Sequence, residues 1–274
     1  MRVTLLGTGD TTGTPTVGCD CATCERAREL DVERSRFSVH VRNDRTGESL
    51  LIDCSPDFRH QFLTQEVPLP DAALVTHIHF DHLDGLGNAY RLFDDLPVHA
   101  TNVVDPATDE SVAGTIRRKY DYLDRVSVAA HTPHEPFRVC GLDVRFVPVD
   151  HPPLLCYGVV LEDPETGAKC SLTGDTSFGI PDDSRAALAD PDLLLADAIV
   201  PASSCEHHPQ GGKHRNDAGV PRTFGSKHMT REGALDLAAE LDADRTRLVH
   251  LAHYYPAGEA FAEPLAVDGE TYDL

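Results

Sequence analysis

Apolar residues in this chain fall into short runs separated by polar or turn-forming stretches. Runs of strand character occur at Val3–Leu6, Ser38–Val41, Leu50–Ile52, Ala73–Val75, Val98–Ala100, Val126–Val128, Val144–Val147, Val159–Leu161, Cys170–Leu172 and Leu248–Leu251. A further run, DLLLADAIV, reads as a strand ending at Asp197. Helix-type patterns lie between them at Pro56–Gln65, Gly85–Phe93, Ala107–Leu123, Ser184–Ala189 and Thr230–Leu241. The clearest is MTREGALDLAAELDAD, with Thr230 suited to an N-cap, Leu235, Leu237 and Leu241 apolar, and acids on the other face. Short strands with helices interposed predict an α/β fold built in layers. The one break is Ser203–Lys227, SSCEHHPQGGKHRNDAGVPRTFGSK, which is rich in Gly, Pro and His and shows no period. A stretch of that kind is expected to be a mobile flap over a site, residues 203–227, within a single domain spanning 1–274.

Composition adds a surface and a setting. The formal net charge is −21, and of the 24 basic residues only Lys119, Lys169, Lys213 and Lys227 are lysines. Such an acid excess suits a halophilic surface kept hydrated in strong salt, and it weighs against broad nucleic-acid binding, which needs cations to neutralise phosphates. No apolar run approaches the ~18 residues of a membrane helix, so a cytoplasmic protein with no membrane partner is expected. In a reducing compartment, GCDCATC at residues 18–24 reads as thiolates for a metal, one ligand short of a tetrahedral zinc. Cys54, Cys140, Cys156, Cys170 and Cys205 are scattered and read as small core residues or inert surface thiols.

The densest chemistry is VTHIHFDHLDGL, residues 75–86. An apolar strand feeds into His77, His79, Asp81 and His82, four potential ligands within six residues. On an extended loop His77 and His79 point to one side, while Asp81 and His82 are free to reach a second ion. Imidazole with carboxylate suits Zn, Mn or Fe. Further titratable residues follow apolar strands at His151 in VRFVPVDHPPLLCYG, at Asp175 in CSLTGDTS, and at His250 and His253 in RLVHLAHYYP. The turn GTGDTTGT after the first strand lacks the G-K-[ST] ending of a phosphate loop and reads as a strand exit. His207, His208 and His214 read as surface residues of the flap.

T-H-x-H-x-D-H-x-x-G resembles the signature of the metallo-β-lactamase superfamily. The resemblance implies a four-layer αββα sandwich with a two-metal site on one edge. It implies His77, His79 and His151 on the first metal, Asp81, His82 and His250 on the second, and Asp175 bridging them. Asp53, in LLIDCS, matches the strand-end aspartate that braces the metal loop. The N-terminal stretch GTGDTTGTPTVGCDCATC is similar to that of a PhnP-like subgroup, cyclic-phosphate phosphodiesterases of the carbon–phosphorus lyase pathway, related to the RNase Z branch. That resemblance implies a structural Zn²⁺ on Cys19, Cys21, Cys24 and His253, beside two catalytic divalent metals, Zn²⁺ or Mn²⁺. KHMTREGAL resembles the H-x-T motif of these branches, which implies His228 as general acid and Asp197 as the residue that orients it. Asp81 is counted with the catalytic residues as well as the ligands.

The implied activity is hydrolysis of a small-molecule cyclic phosphodiester, such as 5-phosphoribosyl 1,2-cyclic phosphate, by a hydroxide shared between the metals. Two alternatives share the fold: a tRNA 3′-processing endonuclease of the RNase Z type, and a cofactor-biosynthesis protein like the pyrroloquinoline quinone B component. The basic arm expected of the first is missing from the sequence. A homodimer is implied only by resemblance.

Overall fold

A computed structural model describes residues 1–274. Its strands, in chain order, are β1 Arg2–Gly7, β2 Ser38–Arg42, β3 Ser49–Ile52, β4 Ala72–Leu74, β5 Leu96–Thr101, β6 Val126–His131, β7 Phe137–Val139, β8 Leu142–Val149, β9 Cys156–Glu162, β10 Lys169–Leu172, β11 Leu193–Asp197, β12 Gly212–Arg215, β13 Pro221–Phe224, β14 His228–Met229, β15 Thr246–Val249 and β16 Thr271–Asp273. The helices are α1 Ala22–Leu30, α2 Phe58–Gln65, α3 Phe80–Leu83, α4 Val112–Lys119, α5 Asp182–Leu188 and α6 Arg231–Glu240. A seven-stranded sheet runs β16-β1-β2-β3-β4-β5-β6, a six-stranded sheet runs β15-β11-β10-β9-β8-β7, and β12-β13-β14 form a small third sheet.

The pleat explains the layering. Successive side chains of a strand point to opposite faces, so a strand covered on both sides is apolar throughout. In β11, Leu193 and Leu195 join the core shared with the first sheet, whereas Leu194 and Ala196 face the cluster holding Leu188 of α5 and Leu237 of α6. β9 repeats this with Val159 and Leu161 on one side and Val160 on the other. With α2 and α4 packed on the first sheet, the order is αββα, the metallo-β-lactamase type. The scattered Cys54, Cys140, Cys156, Cys170 and Cys205 are all buried. No helix is long and apolar enough to cross a membrane.

Strand direction places the site. β3 and β4 are parallel, as are β10, β11 and β15. β8 and β10 are both antiparallel to β9, so β8 runs with β10. The carboxyl ends of β8, β10, β11 and β15 therefore share one edge of their sheet, as those of β3 and β4 do in theirs.

Several expected elements differ. The helix expected at Gly85–Phe93 is the short α3 followed by a 3₁₀ segment, Asp84–Ala89. Glycine is required at position 85 by a close approach: a Cβ there would lie 2.0 Å from the Ser55 carbonyl. The helix expected from Ala107 starts only at Val112, capped by Ser111, because Asp105 and Glu110 close a turn first. Leu235 is exposed instead of packing with Leu237. The segment 203–227, expected as an irregular flap, holds a 3₁₀ turn and the strands β12 and β13.

Candidate metal centre

Asp53 leaves β3 with φ 59°, and His250 leaves β15 with φ 58°. This left-handed backbone is unusual for residues other than glycine and costs energy that the surrounding contacts must offset. Both residues are buried, and both turn their side chains to the shared strand-end edge. Asp53 is the brace. Its Oδ1 accepts from the Thr76 N–H (2.8 Å), and its Oδ2 accepts from the Thr76 hydroxyl (2.8 Å) and from His82 Nδ1 (2.7 Å). Since the Thr76 hydroxyl donates to Asp53, its lone pair takes the N–H of His77 Nδ1, 3.1 Å away. One carboxylate thus orients two imidazoles, turning Nε2 of His82 inward and placing Nε2 of His77 2.9 Å from His79 Nδ1. His151 is set similarly, with its Nδ1 donating to the Lys227 carbonyl at 3.1 Å.

The freed atoms converge. Potential ligand atoms of His77, His79, His151 and Asp175 lie within 4.8 Å of one another, as do those of Asp81, His82 and His250, and those of Asp175, His228 and His250. Asp175 Oδ2 stands between the groups, 3.7 Å from His77 Nε2, 3.3 Å from His82 Nε2 and 3.3 Å from His250 Nε2. Asp81 Oδ2 lies 3.6 Å from Nε2 of both His82 and His250. Ligands of a tetrahedral ion with bonds of about 2.0–2.3 Å stand about 3.3–3.8 Å apart, the scale seen here.

A cation explains atoms that are otherwise orphaned. Nε2 of His82, His151 and His250 are buried with no hydrogen-bond partner, an expensive state for polar groups. Burial, reinforced by neighbouring His82, pushes His77 well below the usual imidazole range, so it presents a lone pair. Burial would raise Asp175, but His250 and His82 hold it well below the usual carboxylate range. Burial lowers His151 to about 3. Burial would lower His82 and His250, but Asp175 lifts His82 well above the usual imidazole range and His250 to about 9, so ions bound here would displace protons from these two rings; with that exchange the converging imidazoles and carboxylates fit a pair of divalent ions.

Beside this centre stands His228, whose Nδ1 lies 2.9 Å from Asp197 Oδ2. Asp197 ends β11 and is buried, and burial raises its pKa. The His228 ring stacks on that of His250, with centroids 5.0 Å apart and planes 9° apart. With Nδ1 given to Asp197, the Nε2 of His228 remains for another partner.

A second cluster lies behind the N-terminal loop. Cys19, Cys21, Cys24 and His253 bring one ligand atom each within 4.8 Å. His253 Nδ1 is 3.8 Å from Cys21 Sγ and 3.2 Å from Cys24 Sγ. Burial pushes the Cys24 thiol up to about 11, and an ion of charge +2 is what would hold such thiols as thiolates. Cys₃His is a closed tetrahedral set suited to structural Zn²⁺.

His77, His79, His151, Asp175, Asp81, His82, His250 and His228 come together at the first cluster and Cys19, Cys21, Cys24 and His253 at the second, while Asp53 and Asp197 stand beside the first through hydrogen bonds to His82 and His228. Thr76, the Lys227 carbonyl and Thr11, whose hydroxyl donates to Asp81 Oδ2 at 2.6 Å, carry structural tasks that the sequence reading did not assign. Thr76 sits inside the quoted T-H-x-H motif, and its place before His77 was the available signal. His207 and His214 are exposed and His208 half-buried, none of them grouped with the centre.

The chain can be set beside known proteins. Residues 48–251 match the family described as Beta-lactamase superfamily domain. An octanoyltransferase from Porphyromonas gingivalis is 30% identical over 271 residues, 97% of this chain and 49% of that protein, so the chain spans about half the length of this curated relative. Among solved structures, a diphosphatase from the PhnP family superposes with TM-score 0.77 at 27% identity, covering 100% of this chain and 97% of the other. Zn²⁺-bound PqqB from Methylobacterium extorquens gives 0.77 at 23% over all of both chains. The short form of human tRNase Z gives 0.68 at 18%, over 100% of this chain and 99% of that one. The last two show the fold alone. With its layered sheets, its strand-end histidines and aspartates, and a family match over most of its length, the chain belongs to the metallo-β-lactamase superfamily.

Proposed function

We propose that this chain is a dinuclear-metal phosphodiesterase that hydrolyses a small cyclic phosphodiester in the cytoplasm, with His228 as general acid. The observation that carries the reading is the His228–Asp197 pair at 2.9 Å, standing beside Asp175 and His250. Two divalent ions held there, Zn²⁺ or Mn²⁺, would supply Lewis acidity toward a phosphoryl oxygen and lower the pKa of an attacking water.

The remaining tasks belong to the chain. His77, His79 and His151 hold one side and Asp81, His82 and His250 the other, with Asp175 between. Asp197 accepts a hydrogen bond from the Nδ1–H of His228, keeping the ring's Nε2 proton directed at a leaving alkoxide. A departing alkoxide is a poor leaving group, so a positioned acid contributes about 10²–10⁴-fold. The segment 203–227 continues through β13 into β14, where Phe224 pairs with His228, so it sets the acid's position. Structural Zn²⁺ on Cys19, Cys21, Cys24 and His253 fixes the N-terminal loop.

The PhnP-family likeness supports phosphorus chemistry and favours one second reading, cleavage of a diphosphate linkage, since that relative is described as a diphosphatase. The test is a panel of a ribosyl cyclic phosphate, a diphosphate, precursor tRNA and an octanoyl thioester, with metal analysis, on wild type and His228→Ala. The expected result is about three metals per chain and cyclic-phosphate turnover that falls about 10²–10⁴-fold in the variant, with much less loss on an activated aryl phosphodiester. Turnover confined to the diphosphate would install the second reading. Specific tRNA 3′ cleavage without cyclic-phosphate turnover, or oxygen uptake by an iron-loaded protein, would replace both.

A further inference from the structure

The turn GTGDTTGT after β1 supplies no ligand, yet one of its side chains reaches the centre. Thr11 Oγ1 donates to Asp81 Oδ2 at 2.6 Å. That oxygen is the one facing His82 Nε2 and His250 Nε2, each at 3.6 Å. We propose that Thr11 is a positioning residue for the ion held by Asp81, His82 and His250. It fixes the rotation of the Asp81 carboxylate and occupies one lone pair of Oδ2, so that the other lone pair is the one offered to the cation. The inference rests on the reading of this cluster as a metal centre.

The turn is built to aim that hydroxyl. Arg36 Nε donates to the Thr11 carbonyl at 3.0 Å, and the Arg36 guanidinium is itself held by Asp57 at 2.9 Å. On the other side, Asp10 Oδ1 accepts from the N–H groups of Thr12 (3.0 Å) and Gly13 (3.1 Å), a local turn that an aspartate side chain closes readily. The Asp10 N–H in turn donates to the Leu251 carbonyl at 3.2 Å, and the Leu251 N–H to the Thr8 carbonyl at 3.0 Å. The peptide directly after His250 is therefore fastened to the same turn that holds Asp81. Farther along, the Thr16 hydroxyl donates to the Gly13 carbonyl at 2.6 Å, and the Thr16 N–H donates to Cys24 Sγ at 3.3 Å. Hydrogen bonds thus lead from the Cys₃His cluster to Asp10, whose chain neighbour Thr11 holds Asp81, and none of the bonds of this turn falls on His77, His79 or His151.

Outer contacts of this kind typically matter about 10–100-fold in metal affinity. Thr11→Val keeps the shape and removes the donor, whereas Thr11→Ser keeps the donor. Thr11 is exposed, so both variants should fold. The experiment titrates Mn²⁺ into chelator-treated wild type, Thr11→Val and Thr11→Ser by calorimetry, with a thermal melt of each before metal is added. Wild type is expected to bind two ions at the His/Asp centre. Thr11→Val should bind one of them about tenfold or more weakly and the other unchanged, Thr11→Ser should restore wild-type binding, and the three metal-free melts should coincide. Equal binding of both ions by Thr11→Val would overturn the role of Thr11 alone. Equal weakening of both ions with a lowered melt would mark Thr11 as merely structural and overturn it too. Wild type that takes up no ion at this centre would overturn the metal reading and the inference with it.

Discussion

His40 in β2 shows how a single buried imidazole ties stability to pH. Its ring stands edge-on to Phe62, 6.2 Å between centroids, and its Nε2 has no partner. Burial pushes its pKa down to about 4, against about 6.5 in an unfolded chain. Below pH ~6.5 the unfolded state takes up a proton that the folded state refuses, so stability falls as pH drops from 6.5 towards 4 and levels off beneath that. Each unit of difference is worth about 1.4 kcal/mol. Replacing the ring by an apolar side chain, His40→Leu, should flatten the slope of unfolding free energy against pH in that interval, as read by urea titrations at pH 7 and pH 5. An unchanged slope would show that His40 does not carry it. At this scale the sequence was most informative where a titratable residue stood at the end of an apolar run or within three residues of it, as His77, His151, Asp175 and His250 do. It was silent on Thr11, because the partner that gives that hydroxyl its task is Asp81, 70 positions away.

At the scale of elements, the centre was legible because parallel strands align their exits. A short apolar run ending in histidine or aspartate marks such an exit in one dimension, and β4, β8, β10, β11 and β15 were all visible in this way. The small sheet β12-β13-β14 was not. Its strands are two to four residues long and include Gly212 and Pro221, so no alternation survives to be read. Its anchor, however, lay in view. Thr230 accepts from the Gly233 N–H at 3.0 Å as the N-cap of α6 and donates to the Pro221 carbonyl of β13 at 2.8 Å. The threonine of H-x-T thus joins helix to meander two residues after His228. Thr230→Ala loses both bonds, and about 1–2 kcal/mol of stability should go with them, seen as a lower denaturant midpoint. A loss no larger than that of an exposed Thr→Ala change elsewhere would mean the cap is idle.

For the whole molecule the governing quantity is charge. With 45 acidic residues against 24 basic ones, the folded chain holds its like charges closer together than the unfolded chain does. Salt shortens the reach of that repulsion from about 10 Å at 0.1 M to about 3 Å at 1 M. The melting temperature should therefore climb steadily as KCl is raised from 0.1 M to 2 M, and a flat or falling response would dismiss the halophilic reading of the composition. The two ligand clusters also have a consequence for how the chain matures. Cys19, Cys21 and Cys24 wait for His253, and Asp81 and His82 wait for His250, so each of these two groups joins residues from distant parts of the chain. Neither group can be completed while a ribosome still holds back β15 and the residues that follow it. Capture of the ion at Asp81, His82 and His250 and of the Cys₃His ion becomes a late event, and a chain broken off before residue 250 would keep only the His77, His79, His151 and Asp175 set whole.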